Sequence, residues 1–176
     1  MAGIVLLICA TAVGYRVLHP DLLTPLPPPG EHVTSRSPAG MNEDIAALMQ
    51  QLQANPNHAQ TLLSLAEHFL RLNDWTSAER FARRALSAIP DDIQSHYLLS
   101  RALHGMGRNE EAAASLERAL QLKEAPALRY SLGILYAYYL NNKQKALSHV
   151  RQGLASPALS ARLKADLQEE LAKLEQ

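Results

Sequence analysis

An alanine that recurs at a constant spacing constrains this chain more than any other feature. Ala78 is followed by Ala112 and then by Ala146, at an interval of 34 residues each time. Two further sets repeat at the same interval: Ala85, Ala119 and Gly153, and Leu86, Leu120 and Leu154. A fixed period of about 20–50 residues is the signature of a repeat architecture, in which each unit buries its apolar face against its neighbours.

The small residues indicate helices that approach one another closely. Between Leu72 and Pro90, the side chains of Ala78, Ala82 and Ala85 lie in one helical stripe. A helix that only covered a core would carry Leu or Ile there, because larger apolar side chains bury more surface. We therefore predict an all-α fold built from helix–turn–helix units. The predicted turns lie at Asn73-Asp74, Gly105 to Asn109 and Asn141-Asn142.

The period and the order of large, small and aromatic positions resemble the tetratricopeptide repeat, or TPR. The first unit carries the pattern at Leu62, Leu65, Ala66, Phe69, Ala78, Ala82, Ala85 and Pro90. The second departs from it at His96, Ser100 and Glu124. The third contains Leu132-Gly133 and Tyr136, after which Ala146 comes one residue late, and this predicts an inserted residue in the turn at Asn141-Asn142.

The resemblance implies an all-α TPR solenoid of about three repeats with flanking helices, preceded by a membrane anchor. The predicted segments are an N-terminal transmembrane anchor or signal-like segment (1–18), a Pro-rich linker (19–41), an N-terminal flanking helix (42–58), three repeats (59–92, 93–126 and 127–157) and a C-terminal capping helix (158–176). Polar outer faces on the terminal helices are what keep a solenoid soluble.

The N-terminus is predicted to be an uncleaved membrane anchor. Its apolar run continues with interruptions to Leu18, close to the shortest length that spans a bilayer, about 17–25 residues. A cleaved signal peptide is the alternative, although no basic residue precedes Arg16. Six of the ten prolines lie between His19 and Met41, and a segment of this composition favours an extended spacer.

Composition excludes several classes of function. Lysines plus arginines equal aspartates plus glutamates at 17 each, and a nucleic-acid-binding protein usually shows a basic excess. The single cysteine, Cys9, excludes a disulfide framework and a cysteine-based zinc site. No histidine pair has the HExxH spacing, and no phosphate loop or nucleophile elbow is present. We therefore expect no nucleic-acid partner, no cofactor, no metal and no catalytic activity.

The TPR resemblance also implies a peptide-binding groove lined by the first helix of each repeat. The positions that match it are Leu63, Glu67, Tyr97, Arg101, His104, Tyr130, Ile134 and Tyr138. The family's clamp for acidic chaperone tails has Lys and Asn where this chain has Leu63 and Glu67, which argues against that ligand. An aromatic groove with one arginine suits an apolar peptide or helix of a partner protein.

The order of anchor, spacer, short helix and Asn55-Pro56-Asn57 resembles the TPR module of bacterial cytochrome c maturation proteins of the CycH/NrfG kind. That resemblance implies a single-pass protein of the bacterial inner membrane with its soluble domain in the periplasm. Its partners would be apocytochrome c or components of the haem lyase. Arg16, taken alone, would place the domain in the cytoplasm instead. The alternative function is a scaffold for another envelope assembly, such as a pilus or secretion system.

Overall fold

The computed structural model describes residues 38–157 and 159–176. The predicted anchor (1–18) and residues 19–37 of the predicted linker lie outside this part of the chain. The described residues form eight α-helices and one π-helical segment, and they contain no strand. This confirms the predicted all-helical architecture. Among these residues, no helix has the length and apolar character needed to cross a bilayer.

The helices follow one another as antiparallel pairs. They are α1 (Pro38–Ala54), α2 (Ala59–Arg71), α3 (Trp75–Ala88), α4 (Ile93–Gly105), α5 (Asn109–Leu122), α6 (Pro126–Ile134), the π-helical segment (Leu135–Tyr139), α7 (Lys143–Leu154) and α8 (Ala161–Leu174). In each of the three repeats the first helix packs on the second: α2 on α3, α4 on α5, and α6 on α7. We call the side formed by the first helices the inner face.

The recurring alanines lie where the helices cross. Ala78, Ala112 and Ala146 are completely buried, as are Ala85 and Ala119. In the first repeat, the rings of Phe69 and Phe81 stack with their centroids 5.4 Å apart, beside these alanines. Small side chains thus bring the two backbones close together, and the large apolar residues next to them fill the space on either side.

The three turns inside the repeats are equivalent. Asn73, Gly107 and Asn141 each have a positive φ, at 58°, 76° and 48°. They are 34 residues apart, which places the left-handed residue at the same point of every turn. Glycine and asparagine adopt this conformation more readily than other residues, so the turn chemistry repeats with the helices.

Local capping fixes where the helices begin. The carboxylate of Asp92 accepts a hydrogen bond from Ser95 N at 2.8 Å, and Asp74 accepts one from Ser77 N at 3.0 Å. Asn142 caps α7 in the same way. The cap of α2 is the ring of His58, one residue beyond the breaker Asn55-Pro56-Asn57. These side chains satisfy amide groups that have no partner within the helix.

The third repeat differs in length at two points. Lys123, Glu124 and Ala125 separate α5 from α6, one residue fewer than the four that separate α3 from α4. The first helix therefore begins one residue early, at Pro126, and the π-helical segment then contains one residue more. The inserted residue predicted in the turn at Asn141-Asn142 thus lies in the helix. That prediction was wrong because all three turns have the same length.

The hydrogen bonds that close the turns show the same difference. Asp74 N donates to Phe69 O, and Arg108 N donates to Leu103 O, each across five residues. Asn142 N donates to Tyr136 O across six residues, at 2.7 Å. The extra residue is accommodated as a wider helical turn, and the turn that follows keeps its shape.

The flanking helices extend the array at both ends. α1 ends at Ala54, which is 34 residues before the end of α3 at Ala88, so α1 has the register of a second helix. It begins at Pro38, inside the predicted linker, and proline is tolerated in the first turn of a helix. At the other end, α8 packs on α7, with Leu167 buried against Gly153.

Candidate peptide-binding surface

The predicted groove residues fall into two groups according to their burial. Leu63, Tyr97, Tyr130 and Ile134 are buried in the apolar core cluster. Glu67, Arg101 and His104 are partly exposed, and Tyr138 is exposed. The first group therefore forms the floor of the inner face, and the second group supplies the side chains that a partner would reach.

Arg101 and Glu67 are the charged groups among these residues. The Arg101 guanidinium lies 5.8 Å from the centroid of the Tyr97 ring, at the outer limit for a cation–π contact. Glu67 accepts a hydrogen bond from Gln94 at 3.0 Å, which links α2 to α4, and it lies 3.9 Å from Arg71. In the described part of the chain, Arg101 forms no ion pair, so its five N–H donors face outward.

His104 joins the second repeat to the third. Its Nδ1 lies 2.7 Å from Asn109 Oδ1, at the start of α5. Its ring meets the ring of Tyr139 edge to face, with the centroids 4.5 Å apart. Sequence analysis included His104 among the groove residues but did not find Tyr139, because the extra residue in the π-helical segment shifts the family pattern at this point.

Tyr138 is fixed by the capping helix. Its hydroxyl donates to Glu170 Oε2 at 2.9 Å, and Lys173 Nζ donates to Glu170 Oε1 at 2.8 Å. The Glu170 carboxylate is buried, with 2% of the residue exposed. Partial burial, and then this hydrogen bond, raise the pKa of Tyr138. Hydrogen bonds to Glu169 and Glu170 raise the pKa of Lys173. A buried carboxylate needs such partners, because an unpaired charge is costly to remove from water.

A second polar cluster, not found from the sequence, lies between α5, α6 and α7. The Tyr136 hydroxyl donates to Glu117 and accepts from Lys145 Nζ at 3.2 Å. The ring of Tyr136 stacks on His149, with the centroids 5.6 Å apart. Arg129 donates to His149 Nδ1 at 3.2 Å and is paired with Glu124. Burial, and then the charge of Arg129, lower the pKa of His149. Tyr136 is buried, as predicted.

No group of three or more histidine, cysteine, aspartate or glutamate side chains arranged for a metal ion occurs in the described ranges. The polar clusters are instead pairs and chains of hydrogen bonds between helices. Their geometry fastens one helix to the next, and the exposed side chains of the inner face remain as the groups available to a ligand.

Two models described as tetratricopeptide repeat match this chain, one over residues 39–102 and the other over residues 93–126. Together they cover half of the 176 residues. The chain is a tetratricopeptide repeat protein. The first match begins in α1, which agrees with the register of that helix as part of the array.

Solved TPR structures share the fold. The crystal structure of TTC0263, a thermophilic TPR protein of Thermus thermophilus, superposes with a TM-score of 0.68 at 19% identity, covering 76% of this chain and 74% of the other. The crystal structure of MamA gives a TM-score of 0.65 at 18% identity, covering 78% of this chain and 88% of MamA. At these identities the likeness shows the fold alone.

A curated relative shares a shorter region. Cellulose synthase operon protein C of Pseudomonas fluorescens (strain SBW25) is 35% identical over 74 residues, which cover 42% of this chain and 6% of that protein. The match thus spans only a small part of the relative's length. TPR solenoids present extended surfaces to other proteins, and this chain is a protein-binding scaffold of that type. The fold is typical of scaffolds rather than of catalysts.

Proposed function

We propose that this TPR protein is a membrane-tethered scaffold of the bacterial inner membrane that holds a segment of a partner protein on its inner face, on the periplasmic side. The observation that carries the proposal is Arg101, whose guanidinium lies over the Tyr97 ring on an otherwise apolar floor. The tether is supported by the apolar N-terminal run and the proline-rich spacer that follows it.

The inner face has the chemistry of a peptide-binding site. Leu63, Tyr130 and Ile134 provide buried apolar surface, while Arg101 offers a planar set of donors suited to a carboxylate or a pair of carbonyls. Glu67 and His104 add an acceptor and a second ring. A partner segment with apolar side chains on one side and an acidic or carbonyl group near its centre would match this arrangement.

The proposed pathway is cytochrome c maturation, with apocytochrome c or haem-lyase components as the partners. The order of anchor, spacer, short helix and Asn55-Pro56-Asn57 supports it. The second candidate is a scaffold for another envelope assembly, such as a pilus or secretion system. It is favoured by one specific observation: the curated relative takes its name from a cellulose synthase operon and not from cytochrome c.

The test titrates the full chain, in detergent micelles, with haem-free apocytochrome c. We expect Arg101→Ala to weaken binding by about tenfold or more, because arginine anchors at interface centres often contribute about 2 kcal/mol. Arg118→Ala is the matched control, because Arg118 is exposed and paired with Asp91. Tyr97 is unsuitable for truncation: 1% of it is exposed, and removing a buried aromatic ring costs about 3–5 kcal/mol of folding free energy.

Two outcomes would contradict the proposal at different levels. Equal affinity in wild type and Arg101→Ala would place the ligand away from the inner face. Failure of wild type to bind apocytochrome c would remove the first pathway and leave the second candidate. The membrane topology is tested separately by fusing a reporter that is active only outside the cytoplasm after Gln176. Silence from a stably expressed fusion would overturn the periplasmic location.

A further inference from the structure

Three rings form an exposed aromatic patch at the end of the inner face: His104, Tyr138 and Tyr139. Tyr138 is 42% exposed and Tyr139 is 37% exposed, which makes them two of the largest apolar surfaces on the described domain. The ring of Tyr139 meets that of His104 at 4.5 Å, so the patch spans the second and third repeats. Exposed aromatic residues that cluster in this way mark interaction sites more often than singly placed ones do.

The patch is held in place from behind. Glu170, buried and paired with Lys173, fixes the hydroxyl of Tyr138. Asn109 fixes His104, and His104 in turn contacts Tyr139. A surface whose side chains are already ordered loses less conformational freedom when a ligand binds. The hydrogen bonds therefore favour a binding surface rather than three mobile rings.

The patch exists because of the extra residue in the third repeat. Arg71 ends the first helix of the first repeat, and Gly105 ends that of the second. At the same place the third repeat has two residues, Tyr138 and Tyr139, in the π-helical segment. A π-helical turn is rare and occurs frequently at functional sites. Here it adds an aromatic side chain that a regular helix of this length would not carry.

We propose that the proline-rich segment Pro25–Pro29 of the same chain docks on this aromatic patch. The segment reads Pro-Leu-Pro-Pro-Pro, and Pro25 and Pro28 have the P-x-x-P spacing. A polyproline II helix has three residues per turn, so these two prolines share one face, and aromatic surfaces recognise such helices. The docking goes beyond the partner-binding function and does not rest on it.

The length of the intervening chain permits this contact. α1 runs antiparallel to α2, so its first residue lies at the end of the domain where the first helices of the repeats terminate. The patch lies at that same end. The eight residues from Gly30 to Ser37 can span about 26–29 Å when extended. Three helix-to-helix steps of about 8–10 Å separate α1 from the third repeat, so the segment can reach the rings.

The experiment measures the rate at which tetranitromethane nitrates Tyr138 and Tyr139 in the full chain, read by peptide mass spectrometry. It compares wild type with a chain in which Pro25, Pro27, Pro28 and Pro29 are all replaced by serine. A tethered segment at an effective concentration of about 1 mM and a Kd of about 0.1 mM would slow nitration about tenfold. We therefore expect both tyrosines to react about tenfold faster in the variant.

Controls separate docking from other effects. A second variant, Glu31→Ala with His32→Ala, alters the neighbouring residues but keeps the prolines, and should retain the wild-type rate. Tyr136 is buried and should remain slow in every chain. Equal nitration rates in wild type and the proline variant would overturn the proposal. Protection that rises with protein concentration would also overturn it, because the segment would then come from a second copy.

Discussion

Replacing Gly133 with alanine tests how closely the first and second helices of the third repeat approach. Gly133 lies inside α6, at the position occupied by Ala66 and Ser100 in the first two repeats. A Cβ atom built there would lie 2.8 Å from Val150 Cγ2, whereas ordinary contacts are 3.4–4 Å. Val150 is buried and β-branched, so its side chain cannot rotate away and α7 would have to move outward.

Two opposing effects set the magnitude. Alanine favours a helix interior by about 1 kcal/mol over glycine. Overpacking a close contact typically costs about 1–3 kcal/mol. We therefore expect Gly133→Ala to lower the free energy of unfolding by about 0–2 kcal/mol, the difference between these effects. In a Val150→Ala background the contact is absent, so the same change should stabilise by about 1 kcal/mol.

Urea unfolding of the full chain, followed by the fluorescence of Trp75 and by circular dichroism, measures all four members of this cycle. The coupling free energy between the two sites should be about 1–3 kcal/mol. Ser100→Ala is the matched control at the equivalent position. The Ser100 hydroxyl is buried without a hydrogen-bond partner among the described residues, so its loss should not destabilise. A coupling free energy near zero would refute the close approach at Gly133.

Two further predictions concern the stability of the domain. Ala112→Leu should lower the free energy of unfolding by about 1–3 kcal/mol, because Ala112 is fully buried at a helix crossing; an unchanged thermal melt would contradict this. The lowered pKa of His149, caused by burial and then by Arg129, means that the unfolded chain binds more protons below pH 6.5. Stability should therefore fall as the pH drops through this value, and His149→Gln should reduce the fall measured by urea unfolding at several pH values.

The repeat itself was predictable because its signal is carried by residue size. Alanine at a helix crossing has no substitute of similar function other than glycine or serine, so the 34-residue spacing is visible directly. The turns and caps were predictable for a related reason. Asn73, Asn141, Asp74 and Asp92 act through their immediate neighbours in the sequence, and local chemistry needs no knowledge of the fold.

The placement of the extra residue was not predictable from the same signals. An inserted residue in a turn and one in a π-helical segment leave the same spacing between Tyr136 and Ala146. Only the hydrogen bond from Asn142 N to Tyr136 O distinguishes them. The contact between Tyr138 and Glu170 joins residues 32 positions apart and depends on where α8 packs. No periodic pattern records such a pairing, which is why the aromatic patch appears only in the structure.

The two length changes in the third repeat have a consequence for insertion and deletion along the chain. Each residue of an α-helix advances the side-chain direction by about 100°, so losing one residue before α6, by itself, would turn every later side chain away from its partner. The residue gained between Leu135 and Tyr139 restores the phase before α7 begins. Either change alone disrupts the packing of Ala146, and the two together leave it intact. A graft of this repeat into another solenoid would therefore have to carry both changes.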